Sequence, residues 1–422
     1  MRYLYTIIFS LLLPFILLRL WVKNRKHSAA LKFWHERLGI GLRPVPQQAI
    51  WVHAVSVGES IAAIPLIKGL QQRYPNIPIV VTGETVGGAE RIRAGLGNSV
   101  AQLYSPYDLP FILKKFFNRI KPRLLILIET ELWPNLLAEC RENRVPAVVA
   151  NARLSERSAL GYRRILSLTQ EMLNGINLVI AQTQADADRF VDLGLSSDRM
   201  QITGSIKFDL ELPSNLLAES QRLRELWGKQ RLIWIAASTH EGEEEQILDA
   251  FALVRKKIAN VLLVSVPRHV DRVSRLESFY QSRGYSTIKR SENKQAGNAD
   301  IFIGDTMGEL LAFYAAADLA FVGGSLVEKG GQNPLEPAAV GLPILMGPHT
   351  FNFAFITDQL KQRGIEIQVE NAQDLAEQVV VFLSNPQKRQ EIGREAKSFV
   401  EENKGAVSKQ LGLIAGLIGP SQ

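Results

Sequence analysis

From residue 48 onward, short uninterrupted apolar runs alternate with segments of helical period, and this alternation leaves few folds open. A strand that is apolar on both faces has to be covered on both faces, as in a parallel sheet flanked by helices. The runs are AIWVHAV (49–55), IPIVVTG (77–83), RLLILIE (123–129), PAVVAN (146–151) and NLVIAQ (177–182). After a loop with Pro213 and Ser214 come RLIWIAAS (231–238), NVLLVSV (260–266), ADIFIGD (299–305), DLAFVGG (318–324) and LPILMG (342–347). Two series of similar length predict two successive doubly wound, Rossmann-like sheets joined near 206–215, with a crevice at the strand ends where open α/β sheets take ligands. The stretch from about 371 reads as two or three further helices. At 422 residues, 46% hydrophobic and 22% charged, the chain can bury both cores and is neither disordered nor collagen-like. Its single cysteine, Cys140, excludes a disulfide framework or a cysteine-rich zinc site and points to a reducing compartment.

The first 22 residues depart from this pattern. YLYTIIFSLLLPFILLRLWV (3–22) carries one charge, Arg19, and ~20 apolar residues are what a ~30 Å hydrocarbon core requires. A transmembrane helix is predicted, with Pro14 tolerated inside it. Arg2 stands alone in front, whereas Arg19, Lys23, Arg25, Lys26, Lys32, Arg37 and Arg43 follow against the single acid Glu36. That asymmetry favours a retained single-pass anchor, amino terminus outside and body in the cytoplasm, over a cleaved signal peptide.

Dinucleotide binding needs G-x-G-x-x-G directly after a strand, and neither Gly39-Ile40-Gly41 nor Gly323-Gly324 fits; no phosphate loop of the G-x-x-x-x-G-K-[ST] type occurs. Asp186 and Asp188 form a D-x-D in a helix-like stretch, where acids near a helix start are ordinarily solvated and favoured by the dipole, so no metal site is expected. Glu59, in HAVSVGES, falls at a strand-to-helix turn beside unpaired backbone N–H groups, where a carboxylate is expected to stay ionised. Glu129 ends an apolar strand, and Glu131 two residues later is expected to point the same way. Two crevice acids suit a general base and a group that tunes it. Arg153, Lys207 and Arg268-His269 at strand ends suit an anion. Helix starts are expected near Gly308 and at Pro334, the latter capped by Asn333, and such starts attract phosphate. Glu336 suits a ribose.

Taken in order, WVHAVSVGES, VTGETVGGAERI, IETELWPNL, NARLSERS, GSIKFD, VPRH, GDTMGEL, FVGGSLVEKGGQNPLEPAA and MGPHTFNF make the chain resemble the 3-deoxy-D-manno-octulosonic acid (Kdo) transferases of lipid A–core assembly, from about residue 30 to 360. The resemblance implies a GT-B glycosyltransferase: an anchor (1–22), an acceptor domain (23–210) and a CMP-Kdo domain (211–422). It implies Glu59 as the base, Glu129 as a second acid and Lys207 as a cation for the leaving phosphate. Contacts to CMP fall on Pro267, Arg268, Met307, Gly308, Glu309, Asn333, Pro334, Leu335 and Glu336. Members often carry His where Gln332 stands. The implied reaction inverts Kdo onto lipid IVA with no metal and no cofactor. The implied acceptor carries phosphates and acyl chains, which accords with LKKFFNRIKPR (113–123), where Phe116 and Phe117 lie among five cations; this patch and the basic residues after the anchor are expected to meet the anionic inner-membrane surface. No nucleic-acid partner is expected, since no recognition module accompanies the patch. The alternative is a membrane-associated GT-B enzyme using a UDP-sugar.

Overall fold

The structure, a computed structural model, describes residues 1–24 and 34–418; Arg25, Lys26 and Lys32 of the basic stretch lie outside the described residues. The chain divides into two compact units, Met1–Asp209 with the carboxyl-terminal residues from Asn403, and Leu210–Glu402.

Each unit is built on a seven-stranded parallel sheet. The first comprises β1 (Ile50–His53), β2 (Ile79–Gly83), β3 (Ala101–Tyr104), β4 (Leu124–Ile128), β5 (Ala147–Ala152), β6 (Leu178–Ala181) and β7 (Met200–Ile202) in the order β3-β2-β1-β4-β5-β6-β7. The second comprises β8 (Leu232–Thr239), β9 (Val261–Pro267), β10 (Thr287–Lys289), β11 (Ile301–Ile303), β12 (Leu319–Val322), β13 (Ile344–Met346) and β14 (Glu366–Gln368) in the order β10-β11-β9-β8-β12-β13-β14. All ten predicted strands are present. The four that sequence patterning misses, β3, β7, β10 and β14, are the four sheet edges. Their sequences, AQLY, MQI, TIK and EIQ, are short and mixed because an edge is covered less completely than the centre.

Side chains of the central strands alternate between two covered faces. Trp51, Leu125, Leu127 and Val149 pack on one side of the first sheet with Phe116 and Leu136. Ile50, Val52, Ile126 and Ile128 pack on the other with Leu66, Ile67 and Leu70. This corrects the aromatic part of the membrane-facing reading of residues 113–123. Phe116 and Phe117 are 0% and 4% exposed and lie 6.2 and 5.5 Å from the Trp51 ring, so only cations such as Lys114, Lys115 and Arg119 turn outward.

Two terminal segments also depart from the expected division. The helix Ala406–Ala415, expected in the second domain, belongs to the first unit. The Asp209 carboxylate accepts N–H groups of Gly405 and Val407, and Gln410 accepts the Asn151 N–H while donating to the Thr203 hydroxyl. Ile414 and Ile418 then complete one face of the first core. An apolar helical stripe shows that a helix packs, not which sheet it covers. The amino-terminal helix Arg2–Asn24, expected to stand apart as an anchor, likewise lays Phe9, Leu13, Ile16 and Leu17 against the first core. It is long and apolar enough to cross a membrane.

Replacing Ile414 by Ala leaves a cavity in a fully buried site and is expected to remove about 2–5 kcal/mol of stability. Hydrogen exchange should show the lost protection in β1, β4 and β5, and equal loss in β8 and β9 would refute the assignment of this helix to the first unit.

Candidate active site

In an open parallel sheet the ligand site lies beyond the carboxyl ends of the strands where the order reverses. In the first unit the reversal falls between β1 and β4, and the residues that follow those strands are the Glu59 turn and Glu129. Ser56 caps the helix Val57–Arg73, its hydroxyl accepting the Glu59 N–H at 3.1 Å, and the Glu59 carboxylate accepts the Val55 N–H at 2.8 Å. Glu59 is only 7% exposed. Burial raises its pKa above the usual carboxylate value of 4.5, against the lowering effect of those hydrogen bonds. It does not stay ionised as readily as a first-turn acid in water, and that corrects the sequence reading.

Glu129 and Glu131 do not point the same way. Glu129 has φ +61°, so the chain turns where an extended strand was expected. Glu129 meets Lys207 Nζ at 2.7 Å, while Glu131 accepts the Trp133 indole N–H at 2.8 Å. Burial, reinforced by the Glu59 charge, pushes Glu131 up to about 7. Lys207 reaches this place although β7 is the far edge strand. The chain after β7 doubles back over the strand ends, with the Ile206 N–H donated to Asn151 Oδ1 near the end of β5 and the Ile206 side chain packed on Ala62. A fourth acid, Glu84 after β2, pairs with Arg37 at 2.5 Å, and that guanidinium lies 4.4 Å over the Tyr107 ring.

Four carboxylates therefore gather at this rim. Two are ion-paired, and the other two, Glu59 and Glu131, carry raised pKa values from burial. Beneath them the Trp51 indole N–H donates to the Thr82 hydroxyl, which lies 2.7 Å from His53 Nδ1. His53 is fully buried and its pKa falls to about 3, so the ring is neutral; it stands edge-on to Trp133 with centroids 4.5 Å apart. Asp186, in contrast, is structural: its carboxylate accepts the Leu154 N–H and the Thr183 hydroxyl. Asp188 accepts from Gln184.

In the second unit the order reverses between β8 and β12. Here the organising group is Glu243, which the sequence reading missed. Its fully buried carboxylate accepts four backbone N–H groups, from His240, Gly324, Ser325 and Leu326, at 2.7–3.0 Å. These bonds tie the turn after β8 to the glycine loop after β12. The approach is close enough that a Cβ on Gly323 would lie 2.7 Å from Thr239 Cα. In the sequence, STHEGEEE looks like an exposed acidic turn, and nothing in it singles out Glu243. Its one legible sign is the histidine three residues earlier.

His240 Nε2 lies 3.1 Å from Gln332 Nε2. Burial, and then the charges of His269, Arg268, Lys329 and Arg272, lower the His240 pKa to about 4, so its ring is neutral and can accept the Gln332 amide hydrogen. Arg268 follows Pro267 at the end of β9 and donates its backbone N–H to Thr239. Arg268 and His269 thus stand beside the turn after β8. Asn333 Oδ1 accepts the Leu335 N–H, and Asn333 Nδ2 lies 3.4 Å from Glu336. The expected helix starts shift by one or two residues, to Leu335 and Leu310, and the helices Leu335–Val340 and Leu310–Ala316 are short. Their dipoles are correspondingly small, which weakens the phosphate attraction expected of these helix starts. The loop after β11 exposes Met307, places Gly308 at φ +85° and ties Glu309 to Arg290 at 2.8 Å.

A profile of the family described as 3-Deoxy-D-manno-octulosonic-acid transferase (kdotransferase) matches residues 32–210, and one described as Glycosyl transferases group 1 matches 220–399. A 3-deoxy-D-manno-octulosonic acid transferase of Haemophilus influenzae is 40% identical over 417 residues, 98% of each chain. The chain belongs to the Kdo transferase family. A Kdo transferase of Bordetella pertussis is 33% identical, covering 99% of this chain and 100% of its own. The fold is that of GT-B enzymes and their neighbours: a UDP-GlcNAc 2-epimerase from Neisseria meningitidis superposes with TM-score 0.58 over 87% of this chain and 100% of its own, at 11% identity. Against this background the two rims belong to a glycosyltransferase, with a carboxylate cluster on one and a cationic cluster on the other.

Glu243→Gln is expected to cost the second unit roughly 1–3 kcal/mol, because an amide cannot accept on both sides and leaves buried N–H groups unpaired. Calorimetry reads the loss, and an unchanged melting temperature would show that the glycine loop holds itself.

Proposed function

We propose that this Kdo transferase moves Kdo from CMP-Kdo to a primary hydroxyl of lipid IVA, inverting the anomeric carbon, at the cytoplasmic face of the bacterial inner membrane. The observation that carries the reading is the state of Glu59. It is a buried carboxylate with a raised pKa at the reversal point of the first sheet, beside two acids already held by cations.

In this mechanism Glu59 takes the proton of the attacking hydroxyl. A base whose pKa is raised toward the working pH removes a proton more effectively than an ordinary carboxylate. Glu129 tunes it through charge, and the Lys207–Glu129 pair fixes the turn beside it. Charge builds on the CMP phosphate as it leaves. Arg268, within the cationic group that depresses His240, is assigned to that charge, and the family likeness adds Lys207. Asn333 and Glu336 are assigned to the cytidine ribose, with Pro267, Pro334, Leu335 and the 307–309 loop around the nucleotide. Side-chain cations do the electrostatic work of a metal here, so transfer should survive excess EDTA. Loss of activity to chelator, restored by magnesium, would overturn this part.

Glu59→Gln keeps the shape and removes the basicity. Its kcat is expected to fall ~10²-fold or more while CMP binding holds. In the wild type kcat/KM should fall as the pH drops through the raised Glu59 value, since protonation disables the base, and this acid limb should vanish in the variant. Mass spectrometry of lipid IVA incubated with freshly generated CMP-Kdo reads the product. Near wild-type turnover of Glu59→Gln refutes the base, and calorimetric binding of UDP but not CMP would favour a UDP-sugar donor.

A further inference from the structure

The helix Arg2–Asn24 is apolar all round, but its two faces have different neighbours. Arg2, Thr6, Phe9, Leu13, Ile16 and Leu17, spaced three and four apart, are half-buried on the side of the first unit. Arg2 Nη1 lies 3.5 Å from Glu142 and its Nε 3.5 Å from Glu171. The Thr6 hydroxyl stands 3.1 Å from Asn135 Oδ1, and the Phe9 ring 6.5 Å from that of Tyr107. On the opposite face Leu4, Ile7, Leu11, Phe15, Leu18 and Val22 are each more than half exposed.

These contacts conflict with a simple crossing. At 1.5 Å per residue a helix of 23 residues is about 35 Å long, close to the ~30 Å of hydrocarbon in a bilayer. In a span with the amino terminus outside, Arg2 emerges on the far side of the membrane. Arg2 can then meet Glu142 and Glu171 only if the folded unit carries those acids across the hydrocarbon, which charged side chains strongly resist. Contact from Arg2 to Leu17 and a crossing by the same helix exclude one another.

We propose that the amino-terminal helix lies in the plane of the membrane as a part of the first unit, with its outer apolar face sunk into an anionic lipid leaflet and its amino terminus on the same side as the catalytic body. In-plane helices usually present a polar face to water and an apolar face to the acyl boundary at ~5–10 Å depth. Here the folded unit takes the place of water. The charge next to it suits anionic headgroups. The helix Glu156–Arg164 has no buried residue and exposes Arg157, Arg163 and Arg164. Its Tyr162, with Ile165 and Leu168, lines a groove of about 600 Å³ together with Tyr5, Phe9 and Ile16. The proposal rests on the functional reading only for which membrane is used.

Two measurements on the full chain test it. A protease-sensitive epitope placed before Met1 should be cut in inside-out inner-membrane vesicles and spared in intact spheroplasts; cutting in spheroplasts with protection in the vesicles overturns the proposal. In native membranes the pair Thr6→Cys with Asn135→Cys should form an intramolecular disulfide on oxidation, and Leu4→Cys with Asn135→Cys should not. Absence of the first cross-link also overturns the docked helix. Transfer activity on detergent-dispersed acceptor, measured on the same preparations, separates the claims: activity with a far-side amino terminus rejects only the in-plane helix, and a cross-linked but inactive protein rejects only the functional reading.

Discussion

A parallel strand covered on both faces can offer chemistry only at its ends. In β1, β4 and β9 every residue is buried, and each fully buried aliphatic side chain contributes about 1.5–3 kcal/mol, so apolar residues predominate and the polar exceptions, His53 and Ser265, each have a hydrogen-bond partner. Polar groups are pushed to the carboxyl rims, where backbone groups and side chains have partners. The reversal in strand order then opens the helical layer at one place in each sheet. Everything with a chemical character in this enzyme, from Glu59 to Gln332, follows from that restriction.

The two rims solve opposite electrostatic problems. On the first, four carboxylates converge and repel. Arg37 and Lys207 pair with Glu84 and Glu129, while burial first, and neighbouring carboxylate charge second, raise the pKa values of Glu59 and Glu131. On the second, burial lowers the His240 pKa, and the charges of His269, Arg268, Lys329 and Arg272 lower it further. Glu129 and Ser238, neither of which prefers the left-handed region, both adopt it at the ends of β4 and β8.

Glu243 and Asp209 show a third use of buried acids. Each takes backbone N–H groups from a segment far away in sequence: Glu243 from the loop after β12, Asp209 from the start of the last helix. Neither is expected to touch substrate. They fix the loops on which the reacting groups stand, and the second holds the carboxyl terminus to the first unit.

The sequence by itself determined the two sheets, the ten inner strands, the place of Glu59 after β1 and the family, because burial on both faces writes an unbroken apolar run and the motifs stand in order. Edge strands escaped it, since incomplete cover leaves no such run. Tertiary structure alone decided the rest. It turned Phe116 and Phe117 inward onto Trp51 and brought Lys207 from the edge strand to Glu129. It also raised Glu59 and Glu131 by burial, returned residues 406–415 to the first core and laid the amino-terminal helix against it. Each of these depends on which surfaces meet across hundreds of residues. Periodicity along the chain records that a face is apolar, not what covers it.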